Sequence, residues 1–156
     1  IAEAVIRRAE AKGLMIATAE SCTGGLVSGA LTAIAGSSAV LDRGFVTYSN
    51  EAKVEMLGVS RDLLASFGAV SEPTARAMAE GAVARSRASI AVSVTGIAGP
   101  GGGSPQKPVG LVHFAAHGPN GRTVHLEKRF GDIGRDAIRL ESVRTALGLL
   151  MDAVSE

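Results

Sequence analysis

The chain is poor in sulfur, aromatic surface and net charge. Its single cysteine, Cys22, excludes an intrachain disulfide and any multi-cysteine zinc site. That cysteine usage points to a reducing, cytoplasmic setting. Tryptophan is absent and only one tyrosine is present, with aromatics at 3%. Stacking platforms for single-stranded nucleic acid are therefore lacking. A formal net charge of +1 gives no electrostatic case for a nucleic-acid or membrane partner. No uncharged apolar run approaches the roughly 20 residues that span a bilayer. The opening stretch, IAEAVIRRAEAKG, has the mixed charge of a helix rather than the pattern of a signal peptide. Neither GxxxxGK[ST] nor a strand-following GxGxxG occurs, which removes the ATP-type P-loop and the dinucleotide fingerprint. His113, His117 and His125 read as isolated residues on strands, without a clustered carboxylate. Neither a Ser-His-Asp triad nor a metal site is expected from them. Ser104-Pro105-Gln106-Lys107 matches Ser-x-x-Lys, but it lies in a Pro/Gly loop rather than on a helix turn, so it reads as coincidence.

What is present is the material of one globular domain spanning 1–156, with 46% hydrophobic and 20% charged residues. Val5, Ile6 and Ala9 mark an amphipathic helix over 2–12, closed by Gly13. LMIATA (14–19) reads as a strand, and 24–35 as a buried Gly/Ala-rich helix. Residues 40–49 form a second strand. Two short helices follow at 50–58 and 61–68, the first capped by Ser49 or Asn50. Ser71 caps a long helix that runs to 88, with Pro73 in its first turn. SIAVSV (89–94) reads as a central strand that empties into a glycine- and proline-rich loop, 95–108. Loops of that length are commonly functional. Residues 109–118 and 122–130 form a hairpin across GPNG. Leu140, Val143, Leu147, Leu150 and Val154 mark the apolar face of a final helix. Interleaved helices and strands followed by a hairpin predict an α/β fold: three layers, α/β/α, around a mixed sheet.

Three segments carry candidate chemistry. ESCTGG (20–25) places Ser21 and Cys22 at a strand-to-helix turn backed by glycines. Unpartnered N–H groups and the positive helix end would stabilise an oxyanion or a phosphate there. Capping of the helix by Ser21 or Thr23 accounts for the same residues. TYSNEAK puts Tyr48 at a strand end and Lys53 in the next helical turn. Burial beside a positive dipole end would lower the lysine's pKa and suit it to act as base for a serine; a surface lysine is the plainer alternative. The glycine loop, beginning at Thr95 and Gly96, can offer main-chain donors to an anion, or can simply connect two strands.

TAESCTGG, GSSAVLDRGFVTYSNEAK, GAVSEPTARAMA, VSVTGIAGPGGG and KPVGLVHFA together closely resemble the C-terminal domain of the CinA (competence/damage-inducible) family. This is the nicotinamide-nucleotide amidase group. The resemblance covers almost the whole chain but not the family's N-terminal nucleotide-processing domain, whose activity is not carried over. It implies hydrolysis of the carboxamide of nicotinamide mononucleotide. Ser21 would be the nucleophile and Tyr48 and Lys53 its partners, with no metal or organic cofactor. Main-chain groups of Cys22, Thr23, Gly24 and Gly25 would bind the oxyanion. Thr95 and Gly96, with Arg135 or Arg139, would hold the phosphate. GDIGRDAIR carries two residues more than the family's compact GDR[DE]AIR, which bears on the reach of both arginines. Cys22 competes as nucleophile, because a thiol at a helix N-terminus is activated. A non-catalytic nucleotide-binding module and a Ser-Lys amidase for another small amide are the alternatives. The implied partners are a small nucleotide substrate and further copies of the chain, in a homo-oligomer built through the last helix or helix 72–88.

Overall fold

A computed structural model describes residues 1–156. The elements are α1 (Ala2–Ala11), β1 (Ile16–Glu20), α2 (Leu26–Thr32), β2 (Leu41–Val46), α3 (Asn50–Leu57), α4 (Arg61–Phe67), α5 (Glu72–Ala84), β3 (Ile90–Gly96), β4 (Leu111–His117), β5 (Thr123–Arg129) and α6 (Arg135–Ser155). One short 3-10 turn, Ser37–Ala39, precedes β2. The five strands form a single mixed sheet in the order β2-β1-β3-β4-β5. β1 runs parallel to β2 and β3, whereas β3–β4 and β4–β5 are antiparallel. No helix is long and apolar enough to cross a membrane.

Alternation along the strands sends side chains to two different layers. Ile90, Val92 and Val94 of β3 join Val5, Ile6, Leu31, Ile138 and Leu150 in the core under α1, α2 and α6. Ala17, Ala19 and Ala91 face the other way, with Leu57, Leu64, Met78 and Ala82 of α3, α4 and α5. Small residues on that second face let α5 lie close to the sheet: Ala75 and Ala79 pack on Ala115, and Ser93 Oγ donates to the Ala75 carbonyl at 2.6 Å. Gly81 is required at the α3–α5 crossing, since a Cβ there would stand 2.0 Å from the Leu57 carbonyl oxygen.

Several boundaries differ from expectation for local reasons. α2 starts at Leu26 rather than 24, because Gly24 and Gly25 adopt φ of 57° and 106° and form the turn instead. α5 ends at Ala84, four residues short of 88. The inward stripe of α6 is Ile138, Ser142, Val143, Ala146, Leu147, Leu150, Ala153 and Val154. Leu140 lies off that stripe and is exposed; with Leu26 it lines a shallow groove between α2 and α6.

The chain leaves β1 for β2 through α2 on one side of the sheet. It returns from β2 to β3 through α3, α4 and α5 on the other. The crossovers therefore diverge beside β1, and the carboxyl ends of β1 and β3 border a crevice. Open α/β sheets bind ligands at such a switch point.

Candidate active site

Everything in the crevice depends on how β1 ends. Ser21 N–H continues the sheet by donating to the Val94 carbonyl at 2.9 Å, and Gly24 N–H closes a turn onto the Ser21 carbonyl at 3.1 Å. Glu20, the last strand residue, is 1% exposed and reaches under α2. Its carboxylate accepts from Val27 N–H at 2.9 Å, Ser28 N–H at 3.0 Å and the Thr23 hydroxyl at 2.6 Å. The anion slot at the start of α2 is thus filled by the protein's own carboxylate, not left for a phosphate. Sequence reasoning quoted Glu20 but gave it no role. No local signal marked it: Ser21 and Thr23 stood ready as caps, and only the fold places Gly25 at the N-cap.

Ser21 and Lys53 come together. Lys53 sits in the first turns of α3, held by the Ser49 cap, whose Oγ accepts from Ala52 N–H. It is the largest fully buried side chain in the molecule, 1% exposed. Lys53 Nζ donates to Ser21 Oγ at 3.0 Å and to the Thr47 carbonyl at 2.8 Å. Loss of hydration pulls its pKa from 10.5 down to about 8, and no carboxylate pairs with it to restore the charge. The arrangement is a hydroxyl facing an amine that sheds its proton at mildly alkaline pH. Such a pair can activate the serine without a histidine.

Cys22 is buried beside it, and burial pushes the thiol up to about 11, partly offset by its own amide and by Arg139. That keeps it a thiol at neutral pH, contrary to the activation expected at a helix N-terminus. The N–H groups of Cys22, Thr23 and Gly25 donate to no other residue. Gly24 N–H, by contrast, is committed to the Ser21 carbonyl.

The other expected residues are distributed around this pair. Tyr48 is 62% exposed; its hydroxyl accepts from Arg135 Nη2 at 3.1 Å and meets neither Ser21 nor Lys53. Only the Tyr48 main-chain carbonyl faces Ser21 Oγ, at 3.5 Å. Arg135 also donates to the Gly99 carbonyl at 2.7 Å, pinning the glycine loop to α6. Arg139, one turn later, is directed elsewhere: its Nε donates to the Cys22 carbonyl at 3.1 Å and its Nη2 to the Thr23 carbonyl at 3.5 Å. The two extra residues of GDIGRDAIR fall in the segment before α6, where Ile133 is exposed, so both arginines keep their helical register. Thr95 is buried and donates to the Ala69 carbonyl at 2.8 Å. Gly96 must lack a side chain, since a Cβ would stand 2.6 Å from Val112 Cγ2.

Ser21, Cys22, Lys53, Thr95, Gly96 and Arg135 share a cavity of about 250 Å³, which Tyr48 also borders. Thr23, Gly24, Gly25 and Arg139 do not line it. A larger cavity, about 660 Å³, lies under Pro100–Pro105 beside Arg129 and Asp132, and contains none of these groups.

The histidines are not isolated, as the sequence suggested. Antiparallel pairing sets His113 opposite Glu127 and His125 opposite Ala115, so the two rings meet diagonally. His113 Nδ1 and His125 Nε2 are 2.8 Å apart, with Glu127 at 3.9 Å and Glu72 at 3.6 Å from the outer nitrogens. Neither borders the Ser21 cavity.

Residues 1–154 match the CinA C-terminal domain. The chain is 52% identical over 148 residues to a CinA-like protein of Anaeromyxobacter sp. (strain K), covering 95% of this chain and 36% of that protein. It therefore spans about a third of the length of that relative. It is 54% identical over 143 residues to the nicotinamide-nucleotide amidohydrolase PncC of Enterobacter agglomerans, covering 88% and 86% of the two chains. The solved structure of the competence/damage inducible protein CihA from Agrobacterium tumefaciens superposes with a TM-score of 0.93 at 61% identity, covering 99% of this chain and 96% of that one. The chain belongs to the CinA C-terminal domain family.

Proposed function

We propose that the protein is an amidohydrolase that converts nicotinamide mononucleotide and water to nicotinate mononucleotide and ammonia, with Ser21 as nucleophile and Lys53 as its base. The 3.0 Å contact between Lys53 Nζ and Ser21 Oγ inside a cavity carries the reading. The amidohydrolase name of the Enterobacter agglomerans relative supports the substrate class.

Neutral Lys53 keeps one N–H on the Thr47 carbonyl and turns its lone pair to the Ser21 hydroxyl. Ser21 Oγ attacks the carboxamide carbon as its proton passes to Nζ. The unpartnered N–H of Cys22, which lines the cavity, receives the oxyanion, a donor of this kind being worth about 3 kcal/mol of barrier. The lysine ammonium returns its proton to the departing nitrogen, and ammonia leaves. Water then adds to the acyl group while Lys53 takes its proton, and collapse restores Ser21 and releases the carboxylic acid. Tyr48 acts at the rim through its pair with Arg135 rather than on the lysine. Arg135 and the adjoining glycine loop hold the phosphate.

The protein works in the cytoplasm as a homo-oligomer; exposed Leu26 and Leu140, which share one groove, support a covered apolar face. Ammonia release from nicotinamide mononucleotide, with Lys53→Ala as control, tests the activity. Turnover by wild type and none by the variant is expected. Equal release from both, or preference for free nicotinamide, would refute it.

A further inference from the structure

Arg139 was expected to grip phosphate, but its geometry gives it different work. The guanidinium crosses from α6 to a turn 117 residues earlier in the chain. It spends its donors on the Cys22 and Thr23 carbonyls and does not line the Ser21 cavity, whereas Arg135 does.

The Cys22 carbonyl and the Thr23 N–H belong to one trans peptide and point in opposite directions. Holding that carbonyl toward α6 turns the Thr23 N–H away from it. The preceding peptide is fixed in the same manner, because the Ser21 carbonyl is taken by Gly24 N–H and the Cys22 N–H must face the other way. Neither N–H donates to another residue, and Cys22 lines the Ser21 cavity while the fully buried Thr23 does not. On the opposite flank the Glu20 carboxylate holds the Thr23 hydroxyl at 2.6 Å. The nucleophile turn is thus held between a buried anion and a guanidinium, with the Cys22 N–H oriented before any substrate arrives.

We infer that Arg139 is a positioning residue for the turn that carries Ser21 and the Cys22 N–H, and not a phosphate ligand. The inference rests on the amidase reading above. It requires that Arg139 matter equally for substrates with and without a phosphate, and that it act on turnover rather than on binding.

The test measures ammonia release by the full chain from nicotinamide mononucleotide and from nicotinamide riboside, in wild type, Arg139→Met, Arg139→Lys and Arg135→Met. Arg139→Met should lower kcat on the mononucleotide by about tenfold to a hundredfold, with KM within about twofold. The same factor should appear in kcat/KM for the riboside. Arg139→Lys, which can still reach one carbonyl, should recover part of the loss. Arg135→Met should instead raise KM for the mononucleotide by a larger factor than for the riboside. A rise in KM confined to the mononucleotide in Arg139→Met would overturn the assignment and make Arg139 a phosphate ligand. Unchanged kcat in Arg139→Met would overturn it as well. Should Arg139→Met not fold, Arg139→Lys decides by the same split between kcat and KM. A wild type that releases ammonia from neither compound would overturn the amidase reading, and this assignment with it.

Discussion

Replacing Lys53 with Met should remove activity yet make the protein more stable at neutral pH. Lys53 is 1% exposed, and its pKa falls from 10.5 to about 8 on burial. That fall is about 3 kcal/mol of preference for the neutral amine in the folded state, at about 1.4 kcal/mol per unit. The folded pKa lies below the unfolded one. Below about pH 8 both states are protonated, and the fold carries the whole cost of a buried ammonium. Between about pH 8 and 10.5 the unfolded chain binds a proton that the native state lacks, so stability rises with pH. Methionine fills similar space without charge, but the Thr47 carbonyl loses its 2.8 Å donor, a loss of about 1–2 kcal/mol. The net expectation at pH 7 is a gain of about 1–2 kcal/mol, a Tm increase of about 2–8 °C for a domain of this size. Urea unfolding of both proteins at about pH 7 and pH 10 measures it, and the advantage of the variant should disappear or reverse at the higher pH. Cys22, whose thiol is raised to about 11, titrates in both proteins and largely cancels in the comparison. A variant destabilised by the same amount at both pH values would refute the argument, because Lys53 would then titrate as an ordinary surface ammonium does.

Three other outcomes follow from the geometry. Ser21→Ala should abolish ammonia release and Cys22→Ala should retain most of it, since burial keeps the Cys22 thiol protonated; the reverse pattern would identify the thiol as nucleophile. Gly96→Ala should cost about 1–3 kcal/mol in unfolding free energy, because the new methyl would stand 2.6 Å from Val112 Cγ2 and 2.9 Å from the Leu111 carbonyl oxygen; an unchanged Tm would contradict that packing. Burial holds the His113 and His125 pKa values below the ordinary 6.5, so the fold favours their neutral forms and loses stability as pH falls through and below that value. His113→Gln should flatten the decline in Tm between about pH 7.5 and 5, and an equally steep decline would assign it to other groups.

Local signals were legible in the sequence and nonlocal ones were not. Ser49 and Ser71 could be read as caps because each accepts from an N–H three residues on, within its own turn. The order of helices and strands along the chain followed from apolar periodicity, and the central place of β3 from its alternation of β-branched and small residues. Glu20 could not be recognised as the anion under α2, because the helix N–H groups it accepts from lie seven and eight residues away across a turn of unknown shape. Arg139 has its acceptors 117 and 116 residues distant. The His113–His125 contact depends on strand register, and a slip of one residue would send the rings to opposite faces. Spacing alone supported only anion binding near Ser21, and the pairing of Ser21 with Lys53 came from the family resemblance. The burial that makes the lysine a base emerges only when α3 closes over it.

The central claim is that a neutral Lys53 activates Ser21, and the pH dependence of kcat/KM for ammonia release from nicotinamide mononucleotide tests it most directly. With a pKa of about 8, Lys53 is about one-tenth neutral at pH 7 and half neutral at pH 8. The account predicts a rise of nearly tenfold per pH unit below about pH 7.5, bending to a plateau above about pH 9. A profile flat across that range, or one governed by a group near pH 6, would contradict it.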